Sequence, residues 1–339
     1  MQTQIEALII LAGVQAIVGA VFAWCPIANA GTFFGVRTEP EYRDSLEARQ
    51  TLARFRRSVG VSVLATILLS SILTLLGRFG LGAVIGAPIL ALSSSLAFRA
   101  GWKRTRPQSI APSPVRVANL RPEPVRFPGG FLAWMGPYLV VAGVSLWVLA
   151  HWDAIPQRFP THWDLDDHAN GWSGKSVPGV FGGTFFGFGV LTLLLVIAAT
   201  QRLARGASAT NPRTRATMLN MVIMMWVIAA GVANVALLPL SSQPPNSLLV
   251  VGLPLAGVAL CLWIGYRAIA APDDSPTPDV APDDCWKWGQ LYYNPDDPSV
   301  IVEKRCGLGS TLNFARPLSW LVIAGIVALT ALPMILRKL

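Results

Sequence analysis

The chain has 339 residues, of which 53% are hydrophobic and only 13% charged, against about 25% charged in an ordinary soluble domain. That composition excludes a soluble globular enzyme and points to an integral membrane protein. The formal charge of +9 does not indicate nucleic acid, because the basic residues sort by position along the chain, as shown below.

Eight apolar runs are long enough to approach the roughly 20 residues that a bilayer-crossing helix needs. They are Ile5–Ala23, Val59–Leu76, Phe79–Phe98, Phe131–Ala150, Val177–Thr200, Met218–Leu240, Leu248–Tyr266 and Leu318–Leu336. None alternates with period two, so helices are expected and not a barrel. The linkers after the first, third, fifth and seventh runs hold 22 of the 27 Lys and Arg residues. The opposite face has only Arg78, Arg158, Lys175, Arg337 and Lys338. The positive-inside rule then puts those four linkers in the cytoplasm and both termini outside, in a bacterial plasma membrane. Residues 1–8 carry only Glu6 as a charge, so an uncleaved first span is expected and not a signal peptide.

Four domains follow from this division. Residues 1–130 are a three-span region, 131–271 a four-span region, 272–317 a tether with a small module, and 318–339 a final span. In the first linker, Asp44 followed by Glu47 predicts a helix start. Leu46, Leu52, Phe55 and Val59 carry that helix into the second run. Trp102–Gly130 is rich in Pro and Arg and reads as irregular. Gly206–Arg215 is a short basic loop. Pro272–Asp284 is an acidic tether with Asp273, Asp274, Asp279 and Asp283. In Cys285–Pro317, the β-prone runs QLYYN and SVIVEKR flank the turn-rich NPDDP, which predicts a hairpin docked on helix ends.

The runs have no Lys, Arg, Asp or Glu near their middles, which argues against an ion-coupled transporter. Gly179, Gly183 and Gly187 recur every fourth residue and predict close helix packing, within the chain or in a homodimer. The four cysteines form no disulfide framework. A metal on Cys285 and Cys306 would need two more ligands in a segment without histidine.

All three histidines fall in the polar loop His151–Lys175, HWDAIPQRFPTHWDLDDHANGWSGK. His151, His162, His168 and Asp164 supply the donor types that zinc or another divalent ion takes, although the His162–His168 spacing matches no standard ligand pair. Solvated carboxylates and histidines bonded to backbone account for the same residues without a metal. Trp152, Phe159, Trp163 and Trp172 suit an interfacial aromatic belt. Pro156 and Pro160 stiffen the outgoing chain, and Gly171 and Gly174 are expected at the turn back. Three histidines in one loop also suit a sensor of acidity. Catalytic signatures fail in detail. The GKS at Gly174–Ser176 lacks its first glycine, the residue there being Ala169. Lys175 interrupts a nucleophile elbow, and there is no HExxH.

The stretch AIPQRFPTHWDLDDHANGWSGK resembles the SdpI-like membrane proteins. Their pattern runs LP-x-x-(I/F)-P-x-H-(W/F)-(N/D), followed by G-x-x-D-G-W-x-x-K. Ile155-Pro156, Phe159-Pro160, His162, Trp163, Asp164, Gly171, Trp172 and Lys175 are in register, whereas Asp167 replaces a glycine and Asn170 an acid. FGVRTEPEYRDS from Phe34 and WGQLYYNPDDPSVIVEKRCGLGSTLNFARP from Trp288 resemble modules that accompany the loop in larger members. The resemblance implies immunity to a peptide toxin of the sporulation-delay kind, or signalling of its presence, and not an enzyme. It implies ligand binding by Pro160, His162, Trp163, Asp164, Trp172 and Lys175. A cytoplasmic regulator would then meet Arg37, Tyr292, Tyr293, Asn294 and Arg305. A transporter or lipid-handling carrier, and an external metal-dependent hydrolase, stay open as alternatives.

Overall fold

The computed structural model describes residues 2–29, 31–111, 128–163, 168–204, 212–241, 243–244, 252–270, 281–306 and 310–336. The expectations for residues 112–127, 164–167, 205–211, 271–280 and 337–339 lie outside the described residues. The described chain is mostly helical and divides into two compact units. One comprises Met1–Val117 and Pro276–Arg316, and the other Ala118–Ser275 and Pro317–Leu339. The 281–316 module therefore folds with the first three helices, a pairing across the chain that no linear division into domains anticipates.

Among the described residues there are eight α-helices, at the positions of the eight apolar runs. They are α1 (Gln2–Trp24), α2 (Leu46–Leu75), α3 (Phe79–Thr105), α4 (Gly130–Ala150), α5 (Val177–Ala204), α6 (Pro212–Ala236), α7 (Leu253–Ala270) and α8 (Pro317–Leu336). Five described stretches are long and apolar enough to cross a membrane: Leu8–Ile27, Leu46–Leu75, Gly130–Ala150, Val177–Ala199 and Arg215–Leu240. Leu253–Ala268 and Pro317–Ala328 are shorter apolar helices.

In the first unit, α1, α2 and α3 pack together. The N-cap of α2 is Ser45 and not Asp44: its hydroxyl accepts from the Ala48 amide at 3.1 Å. The neighbouring Asp44 instead lies 3.6 Å from Arg49 at the surface. The helix then runs unbroken for 30 residues, as the sequence pattern requires, with Phe55 and Val59 buried but Leu46 exposed. It stops where Gly77 takes φ +73°. There the Arg78 amide donates to Leu73 O at 2.7 Å and the Gly77 amide to Thr74 O at 2.9 Å, the paired bonds of a Schellman cap. Between the helices, buried Gln15 donates to Ser70 Oγ at 2.8 Å. Gly86 makes room for that bond, since a Cβ there would stand 2.5 Å from Gln15 Nε2.

Two tight turns join the module to this bundle. Strands β1 (Thr32–Phe33) and β2 (Val36–Arg37) enclose the two-residue loop Phe34-Gly35, with φ +49° and +72°. Positive φ at both central residues is what a two-residue loop needs to match strand twist. Phe34 is a poor residue for that conformation, but its ring is fully buried among Phe33, Phe55 and Phe98 and lies against Gly101. The second turn, Trp288-Gly289, lies between β5 (Trp286–Lys287) and β6 (Leu291–Tyr292), again with both φ positive. The two turns cross at their glycines. A Cβ on Gly35 would sit 2.2 Å from Gly289 O, and one on Gly289 2.3 Å from Phe34 O.

The hairpin expected across NPDDP does not form. β6 pairs with β5, and β7 (Ile301–Glu303) pairs with β8 (Ser310–Leu312). NPDDP is instead wound on its own side chains, because Asn294 Oδ1 accepts from the Asp296 amide at 3.0 Å and Asp297 Oδ1 from the Ser299 amide at 2.9 Å. Fully buried Asn313 holds this loop, donating to Asn294 O at 2.9 Å and Asp297 O at 3.1 Å.

In the second unit, α6 packs against α4, α5 and α7. Its core is Trp134 and Val141 of α4, Leu191 and Ala198 of α5, and Met218, Val222, Met225 and Ala229 of α6. Small residues permit the approach: Gly136 receives the Trp226 ring, whose Nε1 donates to Ala133 O at 2.9 Å. Gly187 faces Val232, where a Cβ would stand 2.6 Å from a methyl group, and Gly183 lies more loosely against Val235. Gly179 is used differently: a Cβ there would stand 2.3 Å from Gly174 O and 2.8 Å from Ser173 Oγ, just before the helix.

Candidate functional site

The loop between α4 and α5 is a built hairpin. Strand β3 (Arg158–Trp163) pairs antiparallel with β4 (Ala169–Gly174), with Arg158 opposite Gly174, Phe159 opposite Ser173, Pro160 opposite Trp172 and His162 opposite Gly171. Register shifts on either side of His162 mark bulges, which re-aim side chains and end regular pairing. Gly171 is therefore not at a turn. It lies buried inside β4, where a Cβ would stand 2.7 Å from His162 Cβ, so glycine is needed for strand approach. At the strand ends the Lys175 amide donates to Gln157 O at 2.9 Å, and Ser176 Oγ caps the next helix by accepting from the Gly179 amide at 3.1 Å.

One face of the hairpin anchors it. Phe159 is 1% exposed and packs with Ile155, Val148 of α4 and Val180 of α5, so it is core and not belt. Trp152 stacks on Phe181 at 6.2 Å between ring centroids, and Lys175 Nζ lies 5.7 Å from the Trp152 centroid. Pro160 is buried as well.

The other face is solvent-exposed and pairs its polar groups with one another. The Arg158 guanidinium stands over the Trp172 ring at 5.3 Å, and Trp172 remains 44% exposed. His162 Nδ1 bonds Asn170 Oδ1 across the strands. That bond occupies one ring nitrogen, and Asn170 is the position where the resembling family carries an acid. Trp163 is half-buried at the end of β3.

The three histidines do not share one environment. His151 ends α4, its Nδ1 bonding Trp147 O at 2.9 Å and its ring 4.2 Å from the Trp147 ring. His162 is in β3, and exposed His168 immediately precedes β4. Among the described residues no three His, Cys, Asp or Glu side chains are grouped to hold a metal ion; Asp164, Asp166 and Asp167 lie outside them.

The residues expected to face a cytoplasmic partner divide in the same way. Tyr293 is 47% exposed, but Arg305 and Tyr292 are each 3% exposed. Arg305 Nη1 lies 2.5 Å from Asp283 Oδ1, Nη2 donates to Ala281 O at 2.6 Å, and the guanidinium covers Trp286 at 5.1 Å. Arg37 Nη2 donates to the same Ala281 O at 3.3 Å, and Ser109 Oγ donates to Asp283 Oδ2 at 2.5 Å. Tyr292 donates to Asp297 Oδ2 at 2.9 Å and accepts from Asn294 Nδ2 at 3.0 Å. Burial raises the Tyr292 phenol well above its ordinary pKa. Arg37, Tyr292, Asn294 and Arg305 thus hold the module together, and a buried guanidinium needs such partners.

Two segments match known families. Residues 139–188 match a domain of unknown function (DUF1648), and residues 295–320 match a family of unknown function (DUF5808). The first covers the entire hairpin with the adjoining parts of α4 and α5. The second covers most of NPDDP, β7, β8 and the start of α8. No curated protein and no solved structure matches the chain. The protein is thus of membrane type and carries two domains of unknown function.

Sequence reasoning missed Arg158, Asn170 and Asp283 as site or framework residues. Arg158 and Asn170 meet their partners, Trp172 and His162, only across the strands. Asp283 is one of several aspartates in an acidic stretch, with nothing local to single it out.

Proposed function

We propose that the protein is a toxin-immunity or signalling receptor of the SdpI-like type, in which the 158–174 hairpin meets a peptide or envelope ligand outside a bacterial plasma membrane. In this reading all eight helices cross the bilayer, both termini are outside and the basic linkers are cytoplasmic. A soluble regulator would meet the cytoplasmic side. The supporting observation is the hairpin's division of labour: Phe159 and Ile155 lock one face to the helix ends, and Arg158, Trp172, His162 and Asn170 remain exposed on a preformed surface. An aromatic ring and a guanidinium on a rigid base suit peptide recognition, because little side-chain freedom is lost on binding.

The test is survival of a bacterial host sensitive to the sporulation-delay toxin, with and without this protein. Expression should raise survival, and His162→Ala combined with Trp172→Ala should remove the protection at unchanged abundance in the membrane. A wild-type protein that gives no protection overturns the immunity reading. Full protection by the double variant removes the hairpin from it.

A further inference from the structure

Two cysteines far apart in the sequence meet in the first unit. Cys25 opens the short 3-10 turn Cys25–Ile27 that follows α1, and Cys306 ends the described segment after β7. Both are free thiols, and each thiol perturbs the ionisation of the other. They lie in the same apolar cluster as Phe33, Phe34, Phe55 and Phe98.

The backbones on both sides are pinned, so the approach does not depend on the two side chains alone. Asn29 Nδ2 donates to Lys304 O at 3.2 Å and to Arg305 O at 3.0 Å, and Thr32 Oγ1 donates to Arg305 O at 2.9 Å. The Phe34 amide donates to Pro26 O at 3.1 Å, tying the β1–β2 turn back to the residue after Cys25. Cys306 Sγ lies 3.5 Å from Gly289 O, at the crossing of the two glycine turns. The thiols differ in access: Cys306 is 7% exposed and Cys25 is half-buried. The interaction with the Cys25 thiol, followed by burial, raises the Cys306 thiol well above its ordinary value. Cys25 is therefore the thiol that a small oxidant reaches first.

We infer that Cys25 and Cys306 are a modification site, a dithiol that hydrogen peroxide converts to a reversible disulfide joining the 281–316 module to the end of α1. Cys25 Sγ attacks one peroxide oxygen, the O–O bond breaks, and the sulfur becomes a sulfenic acid as the other oxygen leaves as water. Cys306 Sγ then attacks Cys25 Sγ, the S–O bond breaks, and a second water leaves with the proton from Cys306. Two thiols lose two electrons and the peroxide gains them. A dithiol reductant reverses the change. The product closes residues 25–306 into one covalent loop, and holds the crossed turns together independently of the Asp283–Arg305 pair.

The full-length protein in detergent is treated with hydrogen peroxide, blocked with N-ethylmaleimide and digested with trypsin. The expected species is the peptide Met1–Arg37 linked to Cys306–Arg337, the Arg316–Pro317 bond resisting trypsin, lost on adding dithiothreitol and absent from both Cys25→Ser and Cys306→Ser. In the linked protein, backbone amides of 286–306 should exchange about tenfold more slowly than in the reduced protein. The inference is overturned if Cys25 and Cys306 are recovered as blocked thiols or as unlinked higher oxides. A link through Cys261 or Cys285, or one only between molecules, overturns it equally. A correct link with unchanged exchange overturns the stapling effect. The wild-type map needs no variant to fold, and it does not depend on what the hairpin binds.

Discussion

The 151–175 hairpin and the 281–316 module are built from similar material, short strands in segments rich in Trp, Asp and Pro, and they use their polar groups in opposite ways. The module turns its polar groups inward: Arg305 on Asp283, Asn313 on the NPDDP loop, Tyr292 on Asp297. The hairpin keeps only apolar residues inward and leaves Arg158, His162, Asn170 and Trp172 exposed. A conspicuous polar motif can thus be framework in one place and a free surface in another. Burial, which is a tertiary quantity, separates the two.

The contrast is sharpest at the crossed turns. Gly289→Val combines a β-branched side chain at φ +72° with a Cβ 2.3 Å from Phe34 O. It should cost more than about 4 kcal/mol and remove folded protein from a size-exclusion thermostability assay. Asp283→Ala leaves a buried guanidinium uncompensated and should cost about 3 to 4 kcal/mol, read as a fall in the melting temperature. Adding Arg305→Met should recover much of that loss, and no recovery would mean that the ion pair is not what holds the module.

Smaller effects probe the second unit. Gly187→Ala places a methyl group against Val232 and should cost about 1 to 3 kcal/mol in the same assay. His162→Ala and Trp172→Ala, by contrast, should each change stability by no more than about 0.5 kcal/mol if that face is a free surface. A large loss there would break the comparison by making the hairpin framework too.

The smallest effect is one of pH. The Tyr292 phenol is raised in the folded protein, so below its unfolded value of about 10 both states are neutral and stability is unaffected. As pH climbs past about 10 the unfolded chain ionises first, and the first unit should lose stability. A melting series from about pH 9 to 11 should show a shallower decline for Tyr292→Phe.

Much of this was legible in the sequence, and what was not has physical causes. Phe34-Gly35 and Trp288-Gly289 open the two segments that resemble family modules, but nothing local says that they cross each other. The NPDDP hairpin was misread because turn residues announce a reversal without specifying its partner strand. Here Pro295 and Pro298 carry no amide for a ladder, and side-chain bonds wind the loop instead. Gly171 read as a turn because glycine marks both turns and close strand approach, and only the pairing with His162 distinguishes them.

By itself the sequence determined the helix positions, the membrane class and the polar loop, because apolar run length and charge sorting are properties of contiguous stretches. Only the tertiary structure decided that the C-terminal module folds with the first three helices, that Arg305 is buried on Asp283, and that Cys25 meets Cys306. Those facts depend on which residues meet in space across separations that no local period encodes.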